Sequence, residues 1–105
     1  MEHQLRQQLQ QLLSKYNAEV IQEVFDTSTR TVSVQLRMTG WNYWRFNGEL
    51  LCNLPAVTVQ LKITRPDYFR ISIVGRNEPM RLKRLAGDID RYRMSQIWMQ
   101  LLAYH

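Results

Sequence analysis

The stretch LPAVTVQLKITRPDYFRISIV, Leu54 to Val74, constrains this chain more than any other. Val57, Val59, Leu61 and Ile63 alternate with Thr58, Gln60 and Lys62, the period-2 pattern of a strand with one buried face. After Arg65, Pro66 and Asp67 the alternation resumes, with Phe69, Ile71 and Ile73 against Arg70 and Ser72. A three-residue loop at 65–67 pairs Ile63 with Phe69, Leu61 with Ile71 and Val59 with Ile73. One face of the hairpin is then wholly apolar, and the other presents Thr58, Gln60, Lys62, Arg70 and Ser72. On that polar face Lys62 and Arg70 stand opposite each other, with no acid of the hairpin between them.

An apolar sheet face needs a cover, and both ends of the chain offer a helix. Residues 2–17 place Leu5, Leu9, Leu12, Leu13 and Tyr16 on one stripe, with Gln, Arg and Lys elsewhere. Near the other end, Gly87 and Asp88 mark a helix start, Asp88 as N-cap, and Ile89 to about Tyr104 forms the closing helix. Its apolar residues spread over more than one side (Ile89, Tyr92, Met94, Ile97, Trp98, Met99, Leu101 and Leu102). That surplus predicts a second contact, with another copy of the chain as one candidate.

Between the helices, Ala18 to Phe25 reads as a first strand, and Asp26-Thr27-Ser28-Thr29 as a turn whose side chains bond their own backbone. Arg30 to Thr39 is a second strand, with Val32, Val34, Leu36 and Met38 facing one way. Trp41 to Phe46 reads either as a strand turning at Asn47-Gly48 into Glu49–Cys52, or as an irregular cover. Met80 to Leu85 is either a sixth strand or a basic extended arm. The expectation is one α+β domain over residues 1–105: an antiparallel sheet of five or six strands, in two layers with an N-terminal and a C-terminal helix.

No motif for catalysis is present. The two histidines, His3 and His105, stand at the ends, and a single Cys52 is too few for a thiolate zinc site. Gly40, Gly48, Gly75 and Gly87 are scattered singly at turns, so there is neither a phosphate-binding loop nor a dinucleotide fingerprint. Asp88 and Asp90 point apart on a helix start, where capping explains them. The expectation is a non-enzyme with no cofactor and no metal. No apolar run approaches the roughly 20 residues of a membrane span, and no apolar leader is visible, so a cytoplasmic location is expected.

Two features point to binding. The aromatic residues Trp41, Tyr43 and Trp44, with Met94, Trp98 and Met99 of the closing helix, are of the types enriched at protein interfaces. They predict an adaptor or inhibitor module that engages another protein, itself as a homodimer included. The alternative is nucleic acid. The net charge is +5, and nine of the fourteen Lys and Arg residues lie from Lys62 onward against four acids. Arg76, Arg81, Lys83, Arg84, Arg91 and Arg93, joined by Lys62 and Arg70 on the hairpin, are candidates to contact phosphates. An ordinary solvated basic surface is the plain reading of the same residues. The positive sign excludes one class, a mimic of DNA.

Leu54-Pro55-Ala56-Val57-Thr58-Val59-Gln60-Leu61, shortly after Tyr43-Trp44, together with Gln96-Ile97 before Trp98 and Leu101-Leu102, resembles the YqiB-like family of small uncharacterised proteobacterial proteins. The resemblance covers about half of the chain. It departs where the family continues with a Tyr-His-Asp run, since Lys62-Ile63-Thr64-Arg65 stands here. It implies kinship of fold and carries no activity.

Overall fold

A computed structural model of the chain describes residues 1–39, 45–46, 49–50, 56–74 and 87–105; at 45–46, 49–50, 56–57, 73 and 87–91 the backbone alone is described. The element order is α1 (Glu2–Ser14), β1 (Ala18–Asp26), β2 (Thr31–Thr39), β3 (Arg45–Phe46), β4 (Glu49–Leu50), β5 (Ala56–Arg65), β6 (Tyr68–Ile73) and α2 (Gly87–Leu101), closed by a 3-10 turn, Leu102–Tyr104. One antiparallel sheet holds four strands in the order β1-β2-β5-β6. Among the described residues no fifth or sixth strand joins this sheet. Arg45–Phe46 pairs only with Glu49–Leu50, in a ladder of its own, and the segment 80–85 lies outside the described residues. The two-residue connection at 47–48 fits the Asn-Gly dipeptide that stands there.

The β5–β6 hairpin pairs Ile63 with Phe69, Leu61 with Ile71 and Val59 with Ile73, as the alternation requires. Its turn is tighter than the expected loop. Arg65 still pairs with Tyr68, so Pro66 and Asp67 alone form the turn, and the register slips between Ile63 and Arg65, where Thr64 has no partner. Proline favours this place because its ring presets φ for a turn and its missing N–H breaks no ladder bond.

Strands β2 and β5 are central, so their alternating side chains are the most deeply buried. Val32, Val34, Leu36, Met38, Val59, Leu61 and Ile63 are each at most 1% exposed. Each such burial is worth about 1.5–3 kcal/mol, which makes this face the main source of stability. Both helices cover it. Leu9, Leu12 and Leu13 of α1 and Met94, Ile97, Trp98, Leu101 and Leu102 at the other end of the chain join the same core, with Phe69 of β6. Their spacing of three and four residues puts each set on one stripe. Helix α1 lies against β1 and α2, and α2 lies against β5, β6 and β2. The result is two layers, α+β, with the helices together on one side of the sheet.

The connections obey local chemistry. Asn17 closes the α1–β1 link at φ 49°, a left-handed conformation that asparagine tolerates better than most residues. In the β1–β2 turn the Asp26 carboxylate accepts the Ser28 hydroxyl at 2.6 Å and the N–H groups of Ser28 and Thr29 at 3.0 and 3.2 Å. These bonds, the Ser28 hydroxyl foremost, hold its pKa below the usual aspartate value. Helix α2 begins at Gly87, one residue before the Asp88 expected to cap it, whose side chain lies outside the described residues.

Strand β1 departs from simple alternation. Val20 pairs with Leu36 but Gln22 pairs with Gln35, so Ile21 is an extra residue in a β-bulge. The bulge reverses which residues face the core. Before it, Ala18 and Val20 point inward; after it, Glu23 and Phe25 do, opposite Val34 and Val32. A carboxylate therefore enters the core layer.

Candidate functional site

Because both helices lie on the inner face, neither covers the outer face of the sheet. The strand register arranges its side chains in rows. One row runs Gln22, Gln35, Gln60, Ser72 across all four strands. The next runs Val24, Ser33, Lys62, Arg70, and on the other side of the Gln row stand Glu19, Arg37 and Thr58. Row neighbours have Cα atoms about 4.5–5.5 Å apart, close enough for side chains to share one ligand group.

The cations on this face differ in their surroundings. Arg37 has Glu19 as its neighbour across the β1–β2 ladder, so opposite charges stand side by side there. Arg65, at the hairpin tip, pairs with Asp67 at 3.6 Å and lies 5.1 Å from the Tyr68 ring centre. Lys62 and Arg70 are direct partners across β5–β6, both are exposed, and among the described residues neither has an ion-pair partner. Two adjacent like charges are mildly unfavourable, and an anion between them removes that cost.

The other candidates scatter. Arg93 is exposed on α2, in the helical layer, so the sheet separates it from Lys62 and Arg70. Arg76, Arg81, Lys83 and Arg84 lie outside the described residues, as does the side chain of Arg91. Of the residues expected at a protein interface, Met94 and Trp98 belong instead to the core, 2% and 0% exposed within the chain's own fold. Sheet contact claims them, because positions 94, 97, 98 and 101 share one stripe of α2. Met99 is half-buried against the same core. Trp41, Tyr43 and Trp44 lie outside the described residues.

Within the core layer, the inward Glu23 gathers three elements. Arg6 Nη1 of α1 donates to both of its carboxylate oxygens, at 2.6 and 2.7 Å. Trp98 Nε1 of α2 donates to Oε2 at 3.1 Å. A carboxylate with 16% side-chain exposure needs such partners, since an unpaired charge there is costly. Arg6 also lies 5.8 Å above the Phe25 ring, and His105 stacks on Phe25 with centroids 3.8 Å apart. Sequence reading missed this cluster. Its signal is the pair of apolar doublets, Val20-Ile21 and Val24-Phe25, which a strand of strict alternation would not carry.

A shallow groove of about 520 Å³ between α1 and the end of the chain is lined by Gln4, Leu5, Gln8, Gln100 and Tyr104, with Met1 and Ala103, and none of these is a carboxylate, imidazole or thiol. Among the described residues, no three His, Cys, Asp or Glu side chains converge as metal ligands, and no helix is long and apolar enough to cross a membrane. No protein-family model, no curated protein and no solved structure matches the chain. The geometry defines a two-layer α+β domain with a polar outer sheet face.

Proposed function

We propose that this chain is a non-catalytic binding module that takes nucleic acid on the outer face of its sheet, with Lys62 and Arg70 as the anchoring cations. The observation that carries it is their direct opposition across β5–β6, with no acid among the described residues as partner. A bridging phosphate converts that repulsion into two charge-assisted contacts. The excess of Lys and Arg from Lys62 onward supports the same reading, and Arg76, Arg81, Lys83 and Arg84, which follow β6 in sequence, would add to the attraction.

The test reverses both anchors. Lys62→Glu with Arg70→Glu lowers affinity for a labelled oligonucleotide at low ionic strength at least tenfold, about 1.4 kcal/mol. Both side chains are exposed, so the fold should persist, and circular dichroism checks that. A folded double variant that binds as tightly as the unmodified chain ends this reading. Reversing Arg81, Lys83 and Arg84 in parallel measures the share of the segment after β6.

A second reading, contact with another protein or another copy of this chain, is supported by Ile21 and Val24, which are 52% and 47% exposed on the edge strand β1. Edge strands with exposed apolar groups invite pairing. Size-exclusion chromatography with light scattering checks it: a concentration-dependent dimer abolished by Ile21→Lys would carry it, and a monomer throughout would remove it.

A further inference from the structure

The shape and chemistry of the outer face narrow the ligand beyond nucleic acid in general. The central row, Gln22, Gln35, Gln60 and Ser72, runs beside the Lys62–Arg70 pair across the full width of the sheet. Amide and hydroxyl side chains both donate and accept, which is the complement of a ribose 2′-hydroxyl. Gln60 donates one N–H to the Leu61 carbonyl at 3.2 Å, and among the described residues no other bond takes its carbonyl oxygen or second N–H.

Groove geometry then separates the duplexes. Four strands at about 4.8 Å spacing present a face about 14 Å across from first to last backbone, before side chains are added. That is too broad for the B-DNA minor groove, about 6 Å wide, and wider than the major groove of about 12 Å, which takes a helix or a two-stranded ribbon. The A-form minor groove of RNA is wide and shallow and lined by 2′-hydroxyls. A flat polar face can lie on it. Single strands are held chiefly by aromatic stacking, whereas the outward positions of β2 and β5 hold Ser33, Gln35, Arg37, Thr58, Gln60 and Lys62.

We infer that the ligand of this face is duplex RNA, its 2′-hydroxyls met by the Gln row and its phosphates by Lys62 and Arg70. This rests on the nucleic-acid reading above. The experiment is a fluorescence anisotropy titration of the full chain against duplexes of about 16 base pairs, the span a shape-reading domain can cover. RNA duplex, DNA duplex and single-stranded RNA of one sequence are compared. The RNA duplex should bind at least tenfold more tightly than either of the others. Gln35→Ala with Gln60→Ala should bring the RNA and DNA duplexes close together without changing the salt dependence. Equal affinity for DNA duplex or single strand, with the Lys62–Arg70 variant still defective, overturns this inference and leaves the nucleic-acid reading standing. No salt-sensitive binding to any of the three overturns both.

Discussion

Trp98→Ala is expected to cost about 3–5 kcal/mol of unfolding free energy, a large part of the 5–15 kcal/mol that a domain of this kind possesses. Trp98 is fully buried, on the stripe of α2 that also carries Met94, Ile97 and Leu101 against the sheet. Removing the indole opens a cavity where side chains from both layers meet, and packed interiors close such cavities only in part. It also takes one donor from Glu23. Urea unfolding followed by circular dichroism reads the effect as a lower midpoint at unchanged slope. Trp98→Phe separates the two terms. It keeps most of the apolar area and loses the Nε1 hydrogen bond, so its cost should be about 1–2 kcal/mol. An alanine variant within 1 kcal/mol of the parent would mean that α2 is not seated as described.

Glu23→Ala has the second largest expected effect, about 2–3 kcal/mol. Breaking a fully buried ion pair costs about 3–5 kcal/mol, because the abandoned partner is left charged and dry. The side chain of Arg6 is 37% exposed, so it recovers part of its hydration and the cost falls below that range. What remains is the Trp98 Nε1–H, buried and without its acceptor, together with the lost link between α1, β1 and α2. Glu23→Gln keeps one acceptor oxygen for Trp98 and Arg6 to share, replaces the other with an NH2 donor and removes the charge, and should show about half the loss. Because Glu23 and Trp98 share one bond, their effects should fall short of additive, and a double-mutant cycle measures the shortfall. A Glu23→Ala variant as stable as the parent would show that the bulge in β1 does not tie the helices to the sheet.

The parts of the fold with strict periodicity were legible from the residues. In β5 and β6 every second side chain is apolar because one face meets the core and the other meets solvent, and the three expected cross-strand pairs follow from that alone. The Leu stripe of α1 was legible for the same reason. Strand β1 was not. Its bulge shifts the inward set by one residue, so Glu23 is a core-layer group, while Ile21 and Val24 are exposed. In the closing helix, whose apolar residues suggested an extra interface, five of the eight (Met94, Ile97, Trp98, Leu101 and Leu102) belong to the core, Tyr92 is exposed, Met99 is half-buried, and the side chain of Ile89 lies outside the described residues. Extent of burial depends on what a helix packs against, and periodicity alone does not carry that. In the candidate site, the opposition of Lys62 and Arg70 was legible because the hairpin register was. Their separation from Arg93 was not, since it depends on which face of the sheet the helices take.

The most direct measurement of the central proposal is the salt dependence of binding between the unmodified chain and an RNA duplex. Each phosphate neutralised releases counterions, so the logarithm of the binding constant should fall linearly with the logarithm of salt concentration, by roughly 0.9 per contact on a duplex. With Lys62 and Arg70 both engaged, a slope of about −2 or steeper is expected, and it should be shallower by about 2 when both are reversed to Glu. A slope near zero, or a slope that the double reversal leaves unchanged, would contradict the assignment of the outer sheet face as the nucleic-acid surface.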